Sequence, residues 1–284
     1  MARSISRRTL FAFLALPLFA GPASAQQSEY QTTQIGDGVY MFRYQSHNAM
    51  FVDTGEGVVA FDPISVEAAR IYRDEIARIT SEPVVAIVYS HHHADHITGA
   101  AELAPNVPIY AHALCHDHLA AVPGADIPLP NRTFKKQMTL RIGGKILQLH
   151  YLGRNHSDNS IVAYLPDQGI IFAVDFVSND RVGYRDLSGF YFPDLWESLE
   201  RLQGLEYDTA IFGHGEPGTK ADVYEQINYW TDLRRAIESM VQAGLSEDEA
   251  VEAIDLPPYQ DWGGYEDWFK MNARTIYKFY AGGE

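Results

Sequence analysis

The order of periodic segments predicts an α/β protein, a four-layer αβ/βα sandwich in one domain. Three observations lead there. Short apolar, β-branched runs alternate with stretches of helical period. They fall into two successive halves, each with strands, then a helix, then a strand. The residues best suited to bind metal follow apolar strands, where open α/β sheets place their chemistry.

Taken in order, Gly36-Asp37-Gly38 is a turn into a strand at Val39–Tyr44. Ala49–Asp53 and Val58–Asp62 form a meander about the glycine-rich turn Thr54-Gly55-Glu56-Gly57. From Val66 to Thr80, apolar Ala69, Ile71, Tyr72, Ile76 and Ile79 keep helical spacing. Val84–Tyr89 reads as a buried strand and Ile97–Leu103 as a short helix. Val107–Tyr110 is a strand, Ala113–Val122 a helix and Pro123–Pro130 a loop. Phe134–Ile142 and Lys145–Leu152 make a hairpin about Gly143-Gly144. Strands at Ser160–Leu165 and Ile170–Val174, a helix at Asp194–Leu202 and a strand at Thr209–Phe212 follow. The rest, about 220–284, is a helical extension with an amphipathic run at Tyr224–Ala243, a capping box at Ser246–Glu249 and an aromatic helix at Tyr265–Tyr280.

The first 25 residues read as a secretory signal rather than as part of the fold. Arg3, Arg7 and Arg8 precede an apolar run from Leu10 to Ala20, and Ala23-Ser24-Ala25 is a cleavage site. Ser6-Arg7-Arg8-Thr9-Leu10-Phe11 is similar to a twin-arginine signal, with Leu ahead of Phe as its departure, and a periplasmic address is expected. The apolar run is too short to span a bilayer, so no membrane association is expected after cleavage. The 284 residues carry a formal charge of −15, and the leader holds three Arg and no acid, so the mature chain stands at −18. Such a surface argues against nucleic acid as a partner. A small-molecule substrate is expected. The single cysteine, Cys115, excludes an internal disulfide.

The chemistry concentrates in Ser90-His91-His92-His93-Ala94-Asp95-His96. Side chains at i and i+2 of an extended segment point the same way, so His91 and His93 can converge on one ion. His92 has the opposite parity and should point away. Asp95 and His96 can face a second ion. A solvated histidine tract would not carry the interleaved Asp. His156, Asp175 and His214 follow apolar strands beside small residues, which makes seven candidate ligands. Two zinc ions need about four positions each, with one bridge and one solvent position, and the count fits.

Here the sequence resembles the metallo-β-lactamase superfamily. His91-x-His93-x-Asp95-His96 matches its signature, Asp53-Thr54-Gly55 its early strand-end motif, and His156, Asp175 and Gly213-His214-Gly215 its later positions in order. The resemblance covers roughly Val39 to Gly218. It implies the superfamily's fold and a two-zinc hydrolase site. His91, His93 and His156 would hold one ion, Asp95, His96 and His214 the other, and Asp175 would bridge. It also implies that a metal-acidified water attacks an acyl C–N or C–O bond, with Asp95 as the catalytic residue that orients it.

The substrate stays open between a β-lactam and a lactone or ester, with a glyoxalase II-like thioesterase or a mononuclear iron persulfide dioxygenase as alternatives. His156–Pro166 resembles the cysteine-containing β-lactamase subclass, yet Asp175 stands where those enzymes carry Cys and Ser178 where they carry Lys. Arg181 or Arg185 is a candidate for the missing cation, against the reading of a solvated loop arginine. Asp53 is a candidate acceptor for a ligand imidazole or a simple turn cap. His112, His116 and His118 read as surface or rim histidines, His150 as structural, and His47 as a turn histidine, with contact to substrate as the alternative.

Overall fold

The computed structural model describes residues 29–122, 124 and 126–282. The expected signal, residues 1–25, lies outside them.

Two sheets form the centre. The first orders seven strands as in the chain: β1 (Tyr30–Gly36), β2 (Val39–Tyr44), β3 (His47–Asp53), β4 (Val58–Phe61), β5 (Val84–Val88), β6 (Ile109–His112) and β7 (Arg132–Phe134). It is antiparallel as far as β4 and parallel from β4 to β7. The second runs from β13 (Gly218–Thr219) through β12 (Thr209–Phe212), β11 (Ile170–Ala173), β10 (Val162–Leu165) and β9 (Lys145–His150) to β8 (Gln137–Ile142). The helices are α1 (Val66–Ile79), α2 (Ala94–Ile97), α3 (Ala100–Leu103), α4 (Ala113–Ala120), α5 (Asp194–Gln203), α6 (Lys220–Gln242), α7 (Glu247–Ala253) and α8 (Tyr265–Tyr280).

Alternation along the strands builds the layers. In β3, Met50 and Val52 face the second sheet, while Ala49 and Phe51 face α1, α3 and α4. In β11, Ile170 and Phe172 face the first sheet, while Ile171 and Ala173 pack under α5, α6 and α8. Three buried clusters therefore fill the three interfaces of helix, sheet, sheet and helix, which is the expected αβ/βα sandwich.

Four local differences have physical causes. The expected strand Phe134–Ile142 is two strands in different sheets, since the chain crosses at Lys135-Lys136. His112, buried rather than at the rim, holds that crossing: its Nε2 donates to the Lys135 carbonyl at 3.1 Å. The expected helix 97–103 is two single turns, α2 and α3, separated at Thr98-Gly99. A Cβ at Gly99 would lie 2.3 Å from the Ser65 carbonyl, so only glycine fits that approach. β1 is an exposed, polar edge strand without an apolar signal. α6 starts four residues before the expected Tyr224, at a capping box of Thr219 and Asp222.

Candidate metal centre and pocket

All seven candidate residues sit at one end of the two sheets. β5 ends in the loop carrying His91 and His93, and α2 carries Asp95 and His96. His156 lies in the loop after β9, Asp175 follows β11 and His214 follows β12. Two backbone hydrogen bonds lock the sheets together here, Asn48 N to the Gly213 carbonyl at 2.8 Å and Ile161 N to the Ser90 carbonyl at 2.9 Å.

Asp175 is the centre of the arrangement. Its Oδ2 lies 3.2 Å from His96 Nε2, 3.5 Å from His156 Nε2 and 3.6 Å from His91 Nε2, and its Oδ1 lies 3.4 Å from His214 Nε2. The residue holds a left-handed backbone, φ 71°, a conformation that Asp tolerates better than most non-glycine residues. Gly213 makes room: a Cβ there would meet Asp175 Oδ1 at 2.4 Å. Ligand atoms of His91, His93, His156 and Asp175 lie within 4.8 Å of one another, as do those of His96, Asp175 and His214. Asp175 is common to both groups.

Asp95 occupies the open side. Its Oδ2 is 3.3 Å from His47 Nε2 and 3.8 Å from His96 Nε2. Burial alone would raise its pKa, but the His47 hydrogen bond and the charge of His96 outweigh it and hold the carboxyl at about 2. His47 thus belongs to the site, 4.6 Å from His214 between ring centroids. No spacing in the sequence singled it out for that place.

Electrostatics favour neutral imidazoles at most positions. Burial pushes His91 well below its ordinary pKa, takes His156 down to about 4 and lowers His93 and His214. His96 is the exception, because Asp175 and Asp62 outweigh its burial and raise it.

A buried carboxylate that spacing did not reveal orients the ring nitrogens. Asp62, fully buried after β4, accepts from Ser90 N at 2.7 Å and from Ser90 Oγ at 2.6 Å, and lies 3.3 Å from His96 Nδ1. Ser90 Oγ donates to Asp62 Oδ2, so the hydroxyl proton points at Asp62. The Ser90 oxygen is then free to accept from His91 Nδ1, 2.9 Å away. His91 therefore keeps a proton on Nδ1 and turns Nε2 to Asp175, and the Asp62 carboxylate 3.3 Å from His96 Nδ1 favours a proton on that nitrogen too. Asp53, the expected acceptor, instead caps its own turn by accepting from Gly55 N at 3.0 Å.

The remaining histidines lie elsewhere. His92 turns away, as its parity requires, and stacks on His118 at 4.3 Å. There Asn159 bonds His92 Nδ1, and His118 Nε2 donates to Asp158. His116 is exposed beside Asp117, and His150 Nε2 donates to Gln148 Oε1 within β9.

A cavity of about 720 Å³ opens on the cluster. His47, His93, Asp95, His156, Asp175 and His214 line one side. The segment after β11, including Ser178, Arg181 and Arg185, lines another, with Trp230 of α6 and Met271 of α8. The helical extension thus builds pocket wall.

Comparison with known proteins agrees with this geometry. A model of the metallo-β-lactamase superfamily matches residues 43–214, well over half of the chain. The chain belongs to the metallo-β-lactamase superfamily. It is 25% identical to a linear primary-alkylsulfatase from Pseudomonas sp., over 82% of this chain and 54% of the relative. It is 30% identical to a hydroxyacylglutathione hydrolase from Nitrobacter hamburgensis, over 56% of this chain and 61% of the relative. The chain spans about half the length of the alkylsulfatase and under two thirds of the hydroxyacylglutathione hydrolase. The fold is shared with the sec-alkylsulfatase Pisa1 from Pseudomonas sp., at a TM-score of 0.74 and 18% identity over 88% of this chain and 50% of that one. Members of the superfamily bind metal ions, and this chain places two His/Asp groups able to hold them on one shared carboxylate.

Proposed function

We propose that this chain is a two-zinc hydrolase that opens an acyl C–N or C–O bond of a small molecule. One observation carries the reading: a buried carboxylate, Asp175, shared by two sets of imidazole nitrogens. Asp175 Oδ1 and His91 Nε2 are buried without a hydrogen bond. Bare lone pairs of Asp175 facing His214 Nε2 at 3.4 Å and His91 Nε2 at 3.6 Å are costly unless a cation lies among them. The donor set is borderline-soft nitrogen with hard oxygen, which suits zinc.

His91, His93 and His156 would hold one ion and Asp95, His96 and His214 the other, with Asp175 serving both. When bound, such ions acidify water towards a pKa of about 7 and polarise a substrate carbonyl. The chain's own groups do the rest. Asp95, ionised at neutral pH, orients the attacking water and accepts its proton at Oδ2, the oxygen that His47 Nε2 steadies. Asp62 and Ser90 keep the ligand tautomers fixed. Phe190 and Trp230 give the cavity an apolar aromatic lining.

Sulfate-ester hydrolysis is the second reading, favoured by the alkylsulfatase similarity over 82% of the chain. The test is kcat/KM of one zinc-loaded preparation on a carbapenem, an acyl-homoserine lactone, a glutathione thioester and an alkyl sulfate, with and without chelator. Chelator-sensitive turnover of the lactone at least equal to that of the carbapenem is expected. Efficient turnover of the alkyl sulfate alone would replace the acyl reading, and turnover that survives the chelator would end both.

A further inference from the structure

On the side of the loop to which His92 turns, a second group of metal-ligating side chains converges from three separate segments. His92 comes from the loop after β5, His118 from the last turn of α4 and Asp158 from the loop after β9. One ligand atom from each lies within 4.8 Å of the others, and none of the three belongs to the Asp175 centre. The His118 ring lies flat on that of His92, with centroids 4.3 Å apart and 17° between the planes. His118 Nε2 stands 2.8 and 2.9 Å from the two Asp158 oxygens. Among the described residues no Lys or Arg pairs with that carboxylate, and His118 is its ion-pair partner.

Asn159 completes the group and supplies a separate observation. It is fully buried. Its Nδ2 donates to His92 Nδ1 and to Asp158 Oδ1, each at 2.8 Å, while its Oδ1 is buried without a hydrogen bond. A folded chain rarely leaves such an oxygen unsatisfied without cause. Turning the amide over places Oδ1 at the Nδ2 position, against the Asp158 oxygen. A cation between the two oxygens turns that repulsion into coordination. The donor set is then two imidazole nitrogens and two oxygens, which suits zinc among the first-row divalent ions. The frame is held before an ion arrives. The Asp158 carbonyl accepts from Tyr151 Oη at 2.9 Å, and Asn159 N donates to Ser157 Oγ at 3.3 Å. His92 itself sits between two residues committed to the Asp175 centre.

We propose that His92, His118 and Asp158 form a further metal site, with Asn159 Oδ1 as its fourth donor and zinc as its ion. The ion takes the place of the proton that His118 Nε2 directs at Asp158. It joins α4 to the loop carrying His91 and His93 and to the loop carrying His156, so it acts as a clip across three segments. The three outer ligands are only partly buried, so the site holds its ion more weakly than the Asp175 centre and loses it when the chain is purified without added metal. The proposal does not depend on what the Asp175 centre hydrolyses.

The experiment is equilibrium dialysis of the purified chain against a series of free zinc concentrations, with bound metal counted by elemental analysis, for the native protein and for His118→Gln, Asp158→Asn and His116→Ala. Gln at position 118 keeps an N–H donor for Asp158 and removes the imidazole ligand, so it separates a metal site from a hydrogen-bonded strap. The native chain is expected to take up one zinc ion beyond those of the Asp175 centre as free zinc rises. His118→Gln and Asp158→Asn should saturate one ion lower. His116→Ala should match the native chain, because that ring is paired with Asp117 outside the group. Thermal unfolding reads the same site: once the tighter centre is filled, further zinc should raise the Tm of the native chain and leave that of His118→Gln where it was. A native chain that takes up no ion beyond the tighter centre, or a folded His118→Gln chain that still takes up the extra ion, would overturn the proposal. Circular dichroism confirms folding. If His118→Gln does not fold, His92→Gln removes a different ligand of the group, and the same loss of one ion is expected. The count is a difference between native and variant chains, so it is read whatever the Asp175 centre holds. An extra ion lost in His118→Gln beside an empty Asp175 centre would refute the two-zinc hydrolase reading and leave this site standing, whereas two tight ions and no extra one would do the reverse.

Discussion

Replacing Asp62 with Asn changes one oxygen to an amide and keeps the volume, so it tests the proton wiring of the site with little disturbance of packing. In the native chain the carboxylate takes two hydrogen bonds from Ser90, at 2.7 and 2.6 Å, and faces His96 Nδ1 at 3.3 Å. With Asn, the retained oxygen can still accept from Ser90 N. The new amide group then donates towards Ser90 Oγ and His96 Nδ1. Ser90 can no longer pass its proton to residue 62 and turns it to His91 Nδ1. Both imidazoles are driven to the other tautomer, with the proton on Nε2, the nitrogen that faces Asp175. The alternative amide orientation opposes two N–H groups at Ser90 and loses a buried bond. Loss of such an orienting partner typically weakens metal binding ten- to a hundredfold, about 1.4–2.7 kcal/mol. The assay is competition between the protein and a chromophoric chelator for zinc, with circular dichroism to confirm folding. Zinc affinity in Asp62→Asn within twofold of the native value would refute the tautomer argument.

Other outcomes follow from the same geometry. His91→Ala and Asp95→Ala should abolish ester turnover, while His116→Ala, exposed and remote from the cavity, should leave kcat/KM unchanged. His92→Ala should keep activity, because the ring faces His118; an inactive but folded variant would mean that the loop register is misassigned. Trp230→Ala removes a side chain only 1% exposed, and thermal or urea unfolding should show a loss of about 3–5 kcal/mol. Export is a further proposal: the intact mass of the periplasmic protein should correspond to a chain starting at Gln26, and retention of Met1 would refute it.

The parts of the fold and site that could be read in advance are those where local pattern and tertiary role coincide. The strand Val84–Val88 had to be apolar on both faces, and the parity of His91, His92 and His93 survives in space although the loop bends, since the His91 and His93 rings meet at 4.4 Å while His92 stacks on His118. The crossing at Lys135-Lys136 was hidden because no Gly or Pro marks it and the apolar residues Phe134, Met138 and Leu140 on either side resemble one run. Asp62 was hidden because its task, bonding Ser90 and His96 across a loop, leaves no spacing signal. Asp53 offered the same residue type at a neighbouring strand end and attracted the assignment. His47 reaches the site only through the pairing of β3 with the loop after β12, which is long-range information. The Arg181 guanidinium lies over Trp268 of α8, far along the chain, and no local spacing could show that contact.

The central claim is that Asp175 is shared by two metal ions. Elemental analysis of the chain purified without added metal tests it most directly, with the Asp175→Ala variant alongside. Close to two zinc ions per native chain and fewer than one in the variant are expected. No metal, or a single iron, in the native chain would contradict the account.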